Sequence, residues 1–179
     1  MSGPLRQHAA PPVTVRPETP ADAPAVRRVN EAAFGRPDEA DLVDRLRDRA
    51  ASYLALVAED GGAVVGHVAF SRVTVQTAPP AFRAIGLAPM SVLPGHQRRG
   101  VGSALVRAGL SACRRGGADA VFVLGHPAYY PRFGFRPAAS LVIESEYGAP
   151  PEAFMVLALR PGALGGVRGA ASYDPALAG

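Results

Sequence analysis

One stretch of the chain decides the fold, and it reads Met90-Ser91-Val92-Leu93-Pro94-Gly95-His96-Gln97-Arg98-Arg99-Gly100-Val101-Gly102-Ser103-Ala104-Leu105. Its apolar start belongs to a longer run, residues 84–93, which predicts a strand. The pair Pro94-Gly95 ends that strand. Apolar residues then return at helical spacing through Ala112 and predict a helix over residues 98–115. The stretch is therefore a strand, a tight turn and a helix.

The turn has the features of an anion-binding site. Gly100 and Gly102 carry no side chains, so a ligand can approach the backbone closely. They lie where the helix begins, beside unpaired N–H groups and the positive end of the helix dipole. Arg98 and Arg99 add charge next to the turn, and Ser103 adds a hydroxyl.

The run does not identify the anion by itself. It is not a dinucleotide fingerprint, because Leu105 stands where the third glycine would be, and it is not a Walker A loop, because no Gly-Lys-Ser/Thr follows. The two glycines also suit a plain turn from strand to helix. A ligand has to be inferred from the surrounding sequence.

The segments on either side alternate between strand and helix patterns. Thr19 and Pro20 suit the start of one helix, and a second helix is predicted over Asp38–Arg49. Further strands are predicted at 13–16, 53–59, 64–75, 120–124, from 135 onward and at 155–159, with at most one helical turn at 128–132. This order predicts an α/β fold, a mixed central sheet of about six to seven strands flanked by about four helices.

The chain is predicted to form a single domain. A length of 179 residues and an apolar fraction of 48% suit one packed core, which we place at residues 13–160. Residues 1–12 are rich in Pro and Ala and are expected to be a flexible leader. Residues 161–179 are rich in Gly and Ala and are expected to be a loosely ordered tail.

Composition argues against several classes of function. The net charge is +4, but the arginines form no long block, so a nucleic-acid partner is not expected. Cys113 is the only cysteine, which excludes an internal disulfide and a cysteine metal cluster, and no metal is expected. We find no secretory signal and no apolar run of about 18 residues. We therefore expect a cytoplasmic protein that does not engage a membrane.

The stretch from Met90 to Leu105 resembles the coenzyme-binding motif of the GNAT superfamily of N-acetyltransferases. That motif is an apolar strand, a proline-bearing turn and then Gln/Arg-x-x-Gly-x-Gly/Ala at the start of a helix, and all of its positions match here. A second run is similar to a bacterial branch of the family, and it reads Gly125-His126-Pro127-Ala128-Tyr129-Tyr130-Pro131-Arg132-Phe133-Gly134-Phe135. The element order from Val13 to about Leu159 also fits the family fold.

The resemblance implies an N-acetyltransferase that uses acetyl-CoA as co-substrate. In the family the strand before the turn carries a bulge, and the pantetheine arm lies in the gap beside it. Met90 and Val92 would then contact the coenzyme through their backbones, and the Met90 N–H would donate to the thioester carbonyl. The pyrophosphate would be held by the successive backbone N–H groups of Gln97, Arg98, Arg99, Gly100, Val101, Gly102 and Ser103. Arg98 and Arg99 either meet the 3′-phosphate or remain in solvent.

Two residues of the second run are candidate catalytic groups. Tyr130 matches the tyrosine that protonates the leaving thiolate in many family members; the alternatives are Tyr129 in that role, or a purely structural aromatic. His126 follows an apolar strand, and its imidazole could take a proton from the amine. The alternative for His126 is to orient the turn from Pro127 to Tyr130 by a hydrogen bond.

The sequence departs from the family at one position. Some members place a glutamate base four residues before the Met90 position, where this chain has Gly86. The base would then be His126, Glu144 or a chain of waters. Gly86 also leaves open a second function, a non-catalytic sensor that binds acyl-CoA.

The acceptor is expected to be a primary amine that attacks the thioester directly in a ternary complex. A small molecule is favoured, because the short apolar turn at Tyr129 and Tyr130 suggests a partly closed site. A protein N-terminus or a lysine side chain is the alternative acceptor, and a homodimer is compatible with the family. His67 is assigned to the core or the sheet edge, and Cys113 is assigned to a small buried apolar position.

Overall fold

The computed structural model describes residues 13–177. Within them the chain forms three α-helices: α1 at Ala23–Phe34, α2 at Asp38–Arg49 and α3 at Val101–Arg115. The strands are β1 Thr14–Pro17, β2 Tyr53–Asp60, β3 Ala63–Val75, β4 Ala84–Val92, β5 Ala120–Leu124, β6 Arg136–Pro137, β7 Ile143–Ser145, β8 Phe154–Ala158 and β9 Gly169–Tyr173. The fourth predicted helix is a single 3-10 turn at Tyr130–Phe133.

The first helical segment is fixed by local hydrogen bonds. The carboxylate of Asp22 accepts the backbone N–H of Thr19 at 2.7 Å and the Thr19 hydroxyl at 2.8 Å. A 3-10 turn at Pro20–Asp22 then leads into α1. The helix ends at Gly35, whose φ of 72° is the left-handed conformation that glycine adopts most readily.

The strands form one mixed sheet, as predicted, with more strands than expected. Its order is β1-β2-β3-β4-β5-β8-β6, and β9 pairs with both β3 and β7. The pairs β4–β5 and β7–β9 are parallel. The other pairs are antiparallel.

Strand β4 carries a bulge and then separates from β5. Between the pairs Val68–Met90 and Phe70–Leu87 one residue of β3 faces two residues of β4, Ala88 and Pro89. Pairing with β5 runs only from Ala84 to Leu87, although β4 continues to Val92. The last part of β4 therefore borders an open gap beside β5.

The helices cover opposite faces of the sheet because side chains alternate along a strand. On β2, Leu56 and Ala58 pack in the cluster that contains Leu105 and Val106 of α3. Val57, between them, packs with Val26 of α1 and Val43 of α2. Cys113 lies buried in the α3 layer, where burial raises the pKa of its thiol to about 12, so the prediction of a small buried apolar position is confirmed.

The expectation of a loosely ordered tail is wrong for residues 161–177. Strand β9 lies in the sheet, with Tyr173 opposite Val73 of β3. Ala171 and Tyr173 are buried, as are Leu164 and Val167 before them, so apolar burial holds a segment whose many glycines suggested a loop. The predicted leader at residues 1–12 and residues 178–179 lie outside the described residues.

Candidate active site

Helix α3 presents its first N–H groups to an open turn. Gly100 is the residue before the helix, and its φ of 88° is a conformation that favours glycine. Its carbonyl accepts the Ala104 N–H at 2.9 Å. In the described chain no side chain caps this end, so the N–H groups of the first turn point outward unpaired, which is the arrangement that binds anions.

The rest of the turn is tied to the end of β4. The Gln97 side-chain amide donates to the Val92 carbonyl at 3.0 Å. Arg98 has a φ of 58°, uncommon for a residue with a side chain. Arg99 turns back along the surface, where its guanidinium donates to the Gly95 carbonyl at 3.4 Å.

A cavity of about 560 Å³ opens over this turn. It is lined by Met90, Val92, Gln97, Arg98, Gly100, Gly102, Ser103, Tyr129 and Arg132. Most of the predicted coenzyme-binding residues therefore come together here. Two lie outside the lining: the Arg99 side chain is exposed, and the Val101 side chain is buried in the core.

Arg132 was not predicted as a site residue, and Tyr129 was predicted only as an alternative to Tyr130 as the acid. The Tyr129 hydroxyl lies 3.5 Å from the Ser103 hydroxyl, and the Arg132 guanidinium carbon lies 4.6 Å above the Tyr129 ring. A Cβ at Gly102 would be 2.9 Å from the Tyr129 hydroxyl, so glycine is needed there for this close approach. The run Tyr129–Arg132 was the only sequence feature that could have indicated these contacts. Its contact with α3 depends on tertiary packing, which the sequence does not reveal.

A second cavity of about 720 Å³ adjoins the first and shares Met90, Tyr129 and Arg132 with it. Its other lining residues come from three parts of the fold: Phe34 and Glu39 from the helices α1 and α2, Leu87, Ala88 and Pro89 from β4, and Leu124, Gly125, His126, Ala128 and Tyr130 from the end of β5 and the run after it. The two cavities meet at the gap between β4 and β5.

The backbone of Met90 faces this gap. The Leu93 N–H donates to the Val65 carbonyl of β3 at 2.9 Å, and successive residues of a strand point their N–H groups to opposite sides. Met90 and Val92 therefore direct their N–H groups away from β3. The Val92 carbonyl, which accepts from Gln97, lies on that same side.

Tyr130 is a buried phenol at the edge of the second cavity. Its side chain is 7% exposed, and its ring packs on Gly125, where a Cβ would collide with it. Burial raises the pKa of Tyr130 to about 12, with a smaller contribution from Tyr129. At neutral pH the hydroxyl is therefore protonated and able to donate.

His126 is exposed and organises the turn that follows it. Its Nδ1 lies 3.3 Å from the Ala128 N–H, and its carbonyl accepts the Tyr129 N–H at 3.0 Å. Because a backbone N–H can only donate, Nδ1 acts as the acceptor, and the neutral ring carries its proton on Nε2.

The space next to Gly86, where the resemblance leads us to expect a glutamate side chain, is occupied by a side chain of β9. A Cβ at Gly86 would lie 2.5 Å from Cε1 of Tyr173. Glu144, considered as an alternative base, is exposed on β7 and lies outside the lining of both cavities. The residue that does bring a carboxylate to the second cavity is Glu39, in the first turn of α2.

Glu39 was not predicted, because an acidic residue at a helix start has an ordinary role in complementing the helix dipole. Its carboxylate accepts from Arg36 at 2.7 and 3.2 Å. That contact, opposed by partial burial, holds the pKa of Glu39 below its usual value.

His67 takes no part in these cavities. It is buried on β3, and its Nε2 lies 3.1 Å from Glu18. Burial opposes the charge on Glu18, but hydrogen bonds with His67, Arg47 and Tyr53 lower its pKa. The assignment of His67 to the core is confirmed.

Among residues 13–177 we find no group of three or more His, Cys, Asp or Glu side chains that could hold a metal ion. In the same part of the chain, no helix combines the length and the apolar character needed to cross a bilayer.

Known proteins resemble this chain along most of its length. The chain is 38% identical over 160 residues to the uncharacterized N-acetyltransferase YhbS of Escherichia coli (strain K12), covering 89% of this chain and 95% of the relative. It is 42% identical over 132 residues to the uncharacterized N-acetyltransferase YjhQ of the same strain, covering 73% of this chain and 71% of the relative.

Solved structures show the same fold. The crystal structure of the GNAT family N-acetyltransferase YhbS from Escherichia coli, in complex with CoA, superposes with a TM-score of 0.87 at 35% identity and covers 97% of both chains. A GNAT family acetyltransferase from Brucella melitensis, in complex with acetyl-CoA, gives a TM-score of 0.74 at 38% identity and covers 92% of this chain and 97% of that one. The model of the acetyltransferase (GNAT) domain matches residues 14–138. The chain belongs to the GNAT family of acetyltransferases.

Proposed function

We propose that this protein transfers the acetyl group of acetyl-CoA to a primary amine by direct attack within a ternary complex. The observation that carries the proposal is the pair of cavities that meet at Met90, one over an anion-binding helix start and the other beside Tyr130. The solved relatives that hold CoA and acetyl-CoA support the choice of co-substrate.

The coenzyme would lie along the first cavity. Its pyrophosphate would accept hydrogen bonds from the N–H groups at Gly100, Gly102 and Ser103, where the helix dipole adds attraction. Arg98 lines this cavity and would meet a phosphate, whereas Arg99 would remain in solvent. The pantetheine arm would occupy the gap between β4 and β5 and bring the thioester to Met90.

The chemistry needs three events at that point. The amine nitrogen attacks the acetyl carbon, and the negative charge that develops on the carbonyl oxygen is stabilised by the Met90 N–H. The C–S bond then breaks, and the thiolate takes the proton of Tyr130. The acceptor gives two protons to water, one from its ammonium before the attack and one from the nitrogen after it, and the Tyr130 phenolate recovers one from solvent.

For His126 we propose a positioning role. The ring nitrogen that could accept a proton already faces the Ala128 N–H, so using it as a base would disrupt the turn that carries Tyr129 and Tyr130. This favours the orienting alternative over proton abstraction. The base is then the solvent that reaches the second cavity.

A small-molecule acceptor suits the second cavity, whose volume of about 720 Å³ lies in the range of small-ligand sites. The rival functions are a protein acceptor, through an N-terminus or lysine, and an acyl-CoA sensor without catalysis. Gly86 motivates the sensor, while Tyr130, a protonated phenol that lines the same cavity as Met90, argues for turnover.

The test is CoA release from acetyl-CoA across a panel of amines, run alongside calorimetry with acetyl-CoA. The proposal expects saturable binding and amine-dependent release. Tight binding with no release above hydrolysis for any amine or peptide would favour the sensor. Release with peptides alone would favour a protein acceptor.

A further inference from the structure

We propose that Glu39 receives the ammonium group of the acceptor, and that the acceptor is a primary amine with an apolar body and no carboxylate beside the amine. This inference rests on the proposed function and names the substrate class of the same site. It concerns a residue on α2 that lies far in sequence from both motifs.

The charges that face the second cavity define what can enter it. Among residues 13–177, Glu39 is the one carboxylate in the lining, and the permanent cation is Arg132. Arg132 also borders the coenzyme cavity, where it stacks on Tyr129. The negative charge on the acceptor side is therefore that of Glu39, and an ammonium is its natural partner.

Glu39 is held in place before any acceptor arrives. Both of its carboxylate oxygens accept from Arg36, and its side chain is 15% exposed, whereas that of Arg36 is 61% exposed. Glu39 lies in the first turn of α2, where the positive end of the helix dipole favours the ionised form of its carboxyl group. A fixed carboxylate loses little conformational entropy on binding and retains acceptor capacity for an ammonium.

The apolar part of the acceptor is indicated by two exposed side chains. Among the described residues, the large apolar side chains that remain exposed are Phe34, Leu124, Val142 and Tyr147. Phe34 at 41% and Leu124 at 44% exposure both line the second cavity. They come from the end of α1 and the end of β5, so an apolar body lying between them would cover both.

A carboxylate beside the amine would work against this arrangement. An α-amino acid would bring its negative charge within a few ångströms of its ammonium, and hence close to Glu39. Like charges at such a distance repel in a partly desolvated site. We therefore expect simple apolar amines to be preferred over the matching amino acids.

The experiment compares three amines with the full chain and two variants. The amines are 2-phenylethylamine, phenylalanine as its carboxylated counterpart, and ethylamine as the amine without an apolar body. The variants are Glu39→Gln and, as a matched control, Asp38→Asn. Asp38 is also acidic and lies 3.6 Å from Arg36, but it is 68% exposed and outside the cavity lining.

The expected result is a wild-type kcat/KM for 2-phenylethylamine that exceeds those for the other two amines by about 10-fold or more. Glu39→Gln should lower it by about 10- to 100-fold, mainly through the KM of the amine. It should leave the KM of acetyl-CoA unchanged. Asp38→Asn should stay within about 2-fold of wild type.

The outcomes separate this inference from the proposed function. Wild-type protein that releases CoA with one or more amines but prefers phenylalanine overturns the substrate class. Equal effects of Glu39→Gln and Asp38→Asn overturn the role of Glu39. Wild-type protein that releases CoA with no amine overturns the proposed function and this inference with it. Thermal unfolding of each variant shows whether a loss of activity is a loss of fold.

Discussion

The ring of Tyr173 on β9 packs against Gly86 on β4, so that a Cβ at Gly86 would lie 2.5 Å from its Cε1 atom. Gly86 stands where the family resemblance leads one to expect a glutamate base, and Tyr173 belongs to the last strand of the described chain. The chain therefore uses this position for packing. A glutamate at this position would have no room for its side chain and would bury a charge.

Gly86→Ala should lower the free energy of unfolding by about 1–3 kcal/mol, because it overpacks a filled site. Gly86→Glu should cost more, because it also buries a carboxylate. Urea unfolding gives both values. In a Tyr173→Ala background the cost of Gly86→Ala should shrink, and an unchanged cost would show that the two residues do not compete for space.

Tyr130→Phe should lower kcat by about 100-fold while leaving the affinity for acetyl-CoA unchanged, because the hydroxyl acts only on the leaving thiolate. Steady-state kinetics and calorimetry separate the two effects. Tyr129→Phe is the matched control and should weaken coenzyme binding more than it lowers kcat. The opposite pattern would make Tyr129 the acid.

The pH dependence of kcat should show no loss due to Tyr130 between pH 6 and about 10. Its pKa is raised to about 12 by burial, so the donor form persists while free amines become more abundant as pH rises. The rate should therefore rise with pH and then level off. A fall near pH 8 that disappears in Tyr130→Phe would contradict the assignment.

Gly100→Leu should abolish measurable binding of acetyl-CoA. The φ of 88° at Gly100 disfavours any side chain, and a leucine would lie beside the N–H groups that face the phosphate. Calorimetry checks this, with Gly95→Leu as the control because Gly95 is in the same turn but outside the cavity lining. Tight binding by a folded Gly100→Leu protein would remove the phosphate site from α3.

His126→Asn and His126→Ala should differ if His126 orients the turn. An asparagine can still accept the Ala128 N–H, whereas alanine cannot. We expect kcat for His126→Asn within about 3-fold of wild type and a drop of about 10-fold or more for His126→Ala. Equal and large losses in both variants would identify His126 as a proton carrier.

The parts of the fold that depend on local signals could be read from the sequence. Helix α2 was predicted with its observed bounds, Asp38–Arg49, and the turn at Gly100 follows from glycines at the start of an amphipathic helix. Strand β9 could not be predicted, because five residues rich in Gly and Ala become a strand only by pairing with β3, about a hundred residues earlier.

In the candidate site, too, the parts formed by neighbours in sequence could be predicted, and the parts formed by tertiary packing could not. The cavity over α3 is formed by neighbours in sequence, so most of its lining was anticipated. Glu39 and Arg132 were missed because they reach the cavities only through packing of α2 and of the run after β5. For the Arg99 side chain the sequence left the 3′-phosphate and solvent as alternatives, and the structure directs this side chain toward the Gly95 carbonyl.

The most direct test of the central claim follows the acetyl group itself. The protein is incubated with acetyl-CoA labelled in the acetyl carbons and with 2-phenylethylamine, and the products are analysed by mass spectrometry. We predict labelled amide in the same amount as released CoA, formed by wild type and strongly reduced in Tyr130→Phe. Release of CoA with the label recovered only as acetate would contradict transfer to an amine.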